Sequence, residues 1–348
     1  DVLLLPFYRR DLAAGRLSRS QAGELVADFY SKNNLILGRG EHQMSGGSET
    51  DTGWQRNLTY DAPQYVVLGG YRPDGVPASD ELTELLLERV DPRYENPVMV
   101  LRYSADLSDE IWRLACRKMR DNASFMVYND ENIIPAMRHC GIAAADAVGY
   151  TMHGCNWPDI PGIQREVGGH QAVLPQYFLD ALFSFAGELP SIDALYERFA
   201  ECFREEITTQ CEQLRQRRRE WETLGPGILR VDDCFLDGPI DRARSWSQGG
   251  VRYPTLTCAI SAIATAADCF AAVDELMLRS QQVALADLQQ ALRDDFAGRE
   301  ALRQRCLNTA KFGQDDERAD GHAARVLAAV QAEIDRAARP GTDEAVIV

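Results

Sequence analysis

Between Tyr65 and Gly149, short apolar runs alternate with helix-length stretches, and this alternation limits the possible folds more than any other feature of the chain. Tyr65-Val-Val-Leu68, Pro97-Val-Met-Val-Leu-Arg-Tyr103 and Ser124-Phe-Met-Val-Tyr128 read as strands, the second of them buried. A helix is predicted to start at Ser79-Asp-Glu-Leu82, with a capping residue and an acidic first turn, and to run to Val90. Further helices are predicted over 109–119, 132–140 and 143–148. Strands that alternate with helices indicate an α/β architecture. An earlier helix is expected over 20–30 with Ser20 as its N-cap, and residues 39–75 are Gly-rich and polar around one strand. The second half reads as mostly helical, over 174–185, 195–224, 257–279, 285–293 and 321–338. Gly249-Gly250 interrupts it with a tight turn before the β-prone Tyr253.

A chain of 348 residues can bury a substantial core, as one large domain or two ordinary ones. No apolar run approaches the ~20 residues of a membrane span, and Asp1-Val-Leu-Leu-Leu-Pro6 is too short for a signal peptide, so a cytoplasmic location is expected. The formal net charge of -16 argues against nucleic acid as a partner, because phosphate binding draws on clustered Lys and Arg. The basic run Arg215-Gln-Arg-Arg-Arg219 reads as a solvated face of the 195–224 helix. Nine cysteines without C-x-x-C pairs form neither a disulfide framework nor a zinc signature. Reduced thiols in a reducing compartment fit better, which makes the sequons at Asn57 and Asn122 accidental. The start on Asp1, without Met, reads as an excised or truncated piece.

Eight of the nine cysteines are expected to be buried structural residues, the usual fate of a free Cys, and one stands apart. Cys155 lies in Tyr150-Thr-Met-His-Gly-Cys-Asn-Trp-Pro-Asp-Ile-Pro-Gly162, a Gly- and Pro-punctuated loop after a short strand-like run, where a scaffold can present a thiol to a cavity. Together with the upstream Ser124–Arg138 and Gly141–Gly149 stretches, the segment resembles the thiyl-cysteine region of the glycyl radical enzymes related to pyruvate formate-lyase. Three more stretches match that family in order: Leu68-Gly-Gly with Ser79-Asp-Glu-Leu82, Asp233-Cys-Phe-Leu-Asp-Gly through Gly249-Gly-Val-Arg-Tyr253, and Lys311-Phe-Gly-Gln-Asp-Asp-Glu-Arg-Ala-Asp320.

The resemblance implies a single pyruvate formate-lyase-like (PFL) domain over 1–348, incomplete at both ends, forming part of a ten-stranded α/β barrel with the thiol loop inside. It makes Cys155 the hydrogen-abstracting catalytic residue. A neutral thiol serves that role, so no partner is needed to lower its pKa, but water and oxidants must be excluded. Substrate contacts are expected from His153, Asn156, Trp157 and His170, with no bound metal. A glycyl radical on a missing C-terminal segment, installed by a radical S-adenosylmethionine activating enzyme, would supply the radical to a homodimer that works anaerobically on a small-molecule substrate.

Two departures shape the expected reaction. Many relatives that dehydrate or cleave small alcohols and amines carry a glutamate base two positions after the thiol, where this chain has Trp157. Pyruvate formate-lyases carry two adjacent cysteines, whereas Cys155 is flanked by Gly154 and Asn156. Carbon–carbon cleavage, by decarboxylation or acyl transfer, is therefore ranked ahead of dehydration. Trp157 with His153 and His170 points to a pocket for a larger or aromatic acid; the alternative is that Trp157 packs under the loop and His153 bonds to backbone. A different class of function, a metal site built from His139, Cys140, His153 and Cys155, is disfavoured because adjacent helical residues point in different directions. A degenerate homologue acting as an interaction subunit is the remaining alternative. No phosphate-binding Gly loop, dinucleotide fingerprint or Ser-His-Asp order occurs.

Overall fold

The structure, a computed structural model, describes residues 1–34, 37–38, 60–61, 64–72, 74–78, 80–94, 96–122, 124–153, 157–224, 227, 229–342 and 345–347. They form two compact units, Asp1–Gly162 and Ile163–Val348. Most of the Gly-rich 39–75 stretch, with the sequon at Asn57, lies outside the described residues.

The first unit opens with helices α1 (Leu5–Ala13) and α2 (Arg19–Asn34), followed by a short antiparallel pair, β1 (Leu37–Gly38) and β2 (Tyr60–Asp61). The N-cap of α2 is Ser18, not Ser20: the Gln21 amide donates to Ser18 Oγ at 3.2 Å, and the Ser18 amide donates to Gln21 Oε1 at 2.9 Å. This reciprocal box satisfies two amides that the first helical turn would leave unpaired. Next come β3 (Tyr65–Gly69), α3 (Glu81–Glu88), β4 (Val98–Tyr103), α4 (Asp109–Asp121), β5 (Phe125–Asn129), α5 (Asp130–His139) and α6 (Ala144–Ala147). The alternation produces the expected architecture, since β3, β4 and β5 pair in parallel in that order. Leu68, Leu101 and Phe125 of the sheet bury against Leu82, Leu85 and Tyr30 of the helices. Each sealed Leu contributes about 1.5–3 kcal/mol. Asn122 is built into this unit, its amide donating to the Asp91 and Tyr94 carbonyls at 3.0 and 3.2 Å, which leaves its sequon no free acceptor. The unit closes with an antiparallel hairpin, β6 (Thr151–His153) and β7 (Trp157–Asp159).

The second unit is helix-rich, as expected. It contains β8 (Gln164–Val173), α7 (Leu174–Ser184), α8 (Ile192–Thr223), β9 (Tyr253–Ser261), α9 (Ile263–Val273), a π-helical turn (Asp274–Arg279), α10 (Leu285–Arg293), α11 (Glu300–Leu307) and α12 (Glu317–Ala338). Phe199 and Phe203 of α8, Phe270 of α9 and Val326 of α12 form its core. Residues 257–261 are strand, correcting the helix expected over 257–279. Ser261 is followed by Ala262 at φ +62°, which breaks the chain direction without a glycine to announce it. β8 carries no local strand signal, since Gly168, Gly169 and its polar residues leave no apolar run; parallel pairing with β9, about 90 residues away, supplies its hydrogen bonds. Among the described residues the strands form separate small sheets, not a closed barrel.

The basic run is a second correction. Arg215 donates to the Ala337 carbonyl, Arg217 to Val167 at 3.1 Å and Arg218 to Ala345 at 2.6 Å. Gly168 leaves room for this, because a Cβ there would lie 2.7 Å from Arg217 Nη2. These side chains serve as multiple-donor clamps on backbone carbonyls, and only Arg219 of the four is exposed.

Candidate active site

The thiol segment is bracketed by the β6–β7 hairpin. Thr151 pairs with Asp159, Met152 with Pro158 and His153 with Trp157, so the flanks of the segment are in antiparallel register. Cys155 and Asn156, and the side chain of His153, lie outside the described residues. Trp157 is half-buried at the first position of β7. His153 and Trp157 are therefore brought opposite each other along the backbone. His170 belongs to the second unit, on β8, where its ring faces Tyr177 of α7 (3.4 Å to the hydroxyl) and Glu206 of α8 (3.6 Å).

Beside the hairpin, the first unit carries a buried polar network that sequence reasoning missed. Arg102 sits near the carboxyl end of β4, and Asp130 follows the carboxyl end of β5 as the first residue of α5. Side chains meet ligands at this edge of a parallel sheet in many α/β proteins. Arg102 Nε and Nη2 donate to the two Asp130 oxygens at 3.0 and 2.8 Å, a bidentate pair. Its remaining arm, Nη1, donates to the Tyr150 carbonyl at 3.0 Å, and the guanidinium lies 3.9 Å from the centre of the Tyr150 ring. The Tyr150 hydroxyl donates to Asp130 in a short hydrogen bond. All three are sealed, at 4%, 2% and 1% exposure for Arg102, Asp130 and Tyr150. Burial and then the bond to Asp130 push the Tyr150 phenol far above its ordinary value, so it stays neutral. Two signals in the sequence could have found the network: one Arg inside an otherwise apolar strand, and an acid opening a helix directly after a parallel strand.

The other cysteines were expected to be buried structural residues. Cys211 is buried, and Cys140, Cys202, Cys258, Cys269 and Cys306 are half-buried, but Cys116 and Cys234 are exposed, which corrects that expectation for two of them. Cys116 and Cys234 lie on solvent-facing positions of α4 and of a short 3-10 turn. Burial pushes the Cys211, Cys258 and Cys269 thiols up to about 11, so these remain protonated and poorly nucleophilic at neutral pH.

Known proteins resemble this chain over most of its length. The probable dehydratase YbiW of Escherichia coli is 28% identical over 93% of this chain and 42% of its own length. The (2S)-3-sulfopropanediol dehydratase of Klebsiella oxytoca is 23% identical over 92% of this chain and 40% of its own. The chain thus spans about two fifths of the length of these curated relatives. Among solved structures, a glycyl radical enzyme from Archaeoglobus fulgidus has a TM-score of 0.72 at 22% identity, covering 96% of this chain and 44% of its own. A structure describing 1,2-propanediol dehydration in Roseburia inulinivorans reaches 0.73 at 20% identity, covering 100% and 45%. These two show the fold. The match to the family described as pyruvate formate lyase-like runs over residues 1–345, through both units and all four of the stretches that stood out in the sequence, and the chain belongs to that family.

Proposed function

We propose that this chain is the thiyl-bearing part of a glycyl radical enzyme, with Cys155 abstracting hydrogen from a small organic substrate. The observation that carries the reading is the family match across the thiol segment, whose flanks the β6–β7 register holds opposite each other. In the step, the Cys155 sulfur radical forms an S–H bond as a substrate C–H bond breaks, and the unpaired electron passes to carbon. The group on the neighbouring carbon then leaves as an anion with its bonding pair while the hydroxyl on the radical carbon loses its proton, and the resulting carbonyl-stabilised carbon radical takes the hydrogen atom back from the thiol, which completes an elimination and regenerates the sulfur radical. Relatives named as dehydratases and sulfite-lyases favour this lyase chemistry over acyl transfer. The radical would come from a glycyl radical, generated on the glycine by a radical S-adenosylmethionine activase, in an anaerobic cytoplasmic homodimer.

Trp157, in the position where many relatives hold a glutamate base, favours a second reading. Carbon–carbon cleavage such as decarboxylation needs no general base to drive out a hydroxyl, and an indole suits a larger acid. Both readings use Cys155. In the full-length activated protein, Cys155→Ser is expected to abolish turnover while leaving the glycyl radical signal in electron paramagnetic resonance intact. Turnover by the serine variant would overturn the thiyl role. Product analysis with 1,2-diols and hydroxysulfonates against carboxylic acids separates elimination from carbon–carbon cleavage.

A further inference from the structure

The Arg102–Asp130 pair is buried on both sides, and burial makes such a pair a weak source of stability. Replacing a buried ion pair with apolar residues of similar volume is often neutral or stabilising, because the desolvation of two charges offsets their attraction. What the pair does achieve is geometric. It holds Tyr150 by its carbonyl, by its ring face and, through Asp130, by its hydroxyl. Backbone and side chain of one residue are thereby fixed together.

Tyr150 immediately precedes β6, and Cys155 follows five positions later. Successive strand residues face opposite sides, so a one-residue slip at Tyr150 would turn every side chain of β6 to the wrong face. The surrounding chain also reserves the space. Gly70 takes φ +80°, and a Cβ there would lie 2.4 Å from Arg102 Cζ. Arg102, from a buried strand, thus joins the Leu68-Gly-Gly stretch to the thiol stretch.

We propose that Arg102, Asp130 and Tyr150 are positioning residues that set the register and orientation of the β6–β7 hairpin, whose two strands flank the thiol segment in the chain. The functional value of that register rests on the thiyl reading above, since hydrogen transfer requires a closely aligned donor and acceptor. The positioning itself does not depend on it.

The test uses the full-length protein and two variants. Tyr150→Phe removes the hydroxyl bond and keeps the ring. The double variant Arg102→Met/Asp130→Leu replaces the ion pair with apolar bulk. Both are expected to speed amide hydrogen exchange at residues 151–153, 157 and 159 by about tenfold while strands 98–103 and 125–129 change by less than about twofold. Alkylation of Cys155 by a small maleimide should change by ~3-fold or more as the flanking strands lose their fixed register. In the activated protein, kcat should fall about tenfold with KM within about twofold, the split expected of misalignment and not of lost binding. Wild-type exchange in the hairpin of the double variant would overturn the proposal. So would an acceleration spread equally over the sheet, which is what a merely structural role predicts. If Tyr150→Phe fails to fold, the double variant decides alone. Turnover by Cys155→Ser would defeat the thiyl reading separately, leaving exchange and alkylation to judge the positioning.

Discussion

Glu333 of α12 is 3% exposed, yet it is charged, and two guanidiniums account for that. Arg204 of α8 donates to both of its oxygens at 2.7 and 2.9 Å, and Arg336 donates one turn along its own helix. The bonds from Arg204, opposed by burial, hold the carboxyl below its ordinary value of 4.5. A depressed carboxyl contributes stability that is present above about pH 4.5 and lost as the pH falls through its folded-state value. Glu333→Gln should therefore cost about 1.5–3 kcal/mol at pH 7 in urea denaturation, the range for hydrogen bonds to a charged group. The gap between variant and wild type should narrow when the titration is repeated at acid pH, as the wild-type carboxyl is protonated in falling through its lowered folded-state value. An equal gap at both pH values would show that shape, not charge, holds the site. Residues of this kind mark the limit of what the sequence discloses. Cys155 stood out because its whole context is local, a thiol within a dozen Gly- and Pro-punctuated residues. Arg102 finds its partners 28 and 48 positions away, and Glu333 finds Arg204 at 129, and no local pattern encodes such pairings.

At the scale of elements, local chemistry sufficed wherever a helix carried its own stop and start signals. The first-unit alternation was legible because Asp80, Ser108 and Asn129 each cap a helix with a side-chain oxygen, placing α3, α4 and α5 within a few residues. It failed at β8 and β9, whose pairing is remote and whose junction with α9 has no breaker residue. The Ala-rich α9 itself was legible, and its packing explains why it is placed so firmly. Phe270 is fully buried; it stacks on Tyr196 with centroids 4.0 Å apart and planes 4° from parallel, and meets Phe178 and Phe199 edge-on at 5.0 and 5.4 Å. Ala266, Ala267 and Ala271 are its small neighbours on the same helix, so its own helix offers no side chain to fill the space it would leave. Phe270→Ala should then cost about 3–5 kcal/mol, measured as a lower denaturation midpoint with an unchanged slope. A loss under about 1 kcal/mol would mean that the helices collapse onto the cavity. The Lys311–Asp320 match likewise does an element's work: Lys311 caps the end of α11 through the Cys306 carbonyl at 3.1 Å, and Asp316 caps α12.

The whole molecule carries 53 acidic and 37 basic side chains, a net charge of -16, and this excess must be borne by a surface laced with short ion pairs. Two effects of salt oppose each other. Screening weakens the exposed pairs, but each is worth only about 0–1 kcal/mol, and partners such as Arg9–Glu81 at 2.7 Å or Arg325–Asp193 at 2.7 Å stand far inside the screening length at any ordinary ionic strength. The repulsion among unpaired carboxylates acts over longer distances. The screening length shrinks from about 30 Å at 0.01 M to about 8 Å at 0.15 M, so it is this long-range term that salt removes. Self-repulsion destabilises a compact state far from zero net charge. Raising sodium chloride from 0.01 to 0.15 M, as ~15-fold more screening ions, is therefore expected to raise the thermal midpoint, by about 1–2 °C for each kcal/mol of repulsion relieved in a chain of 348 residues. Scanning calorimetry in a weakly ionic buffer measures this directly. A midpoint that falls with salt would mean that the ion pairs, summed over both units, outweigh the repulsion of the excess acid.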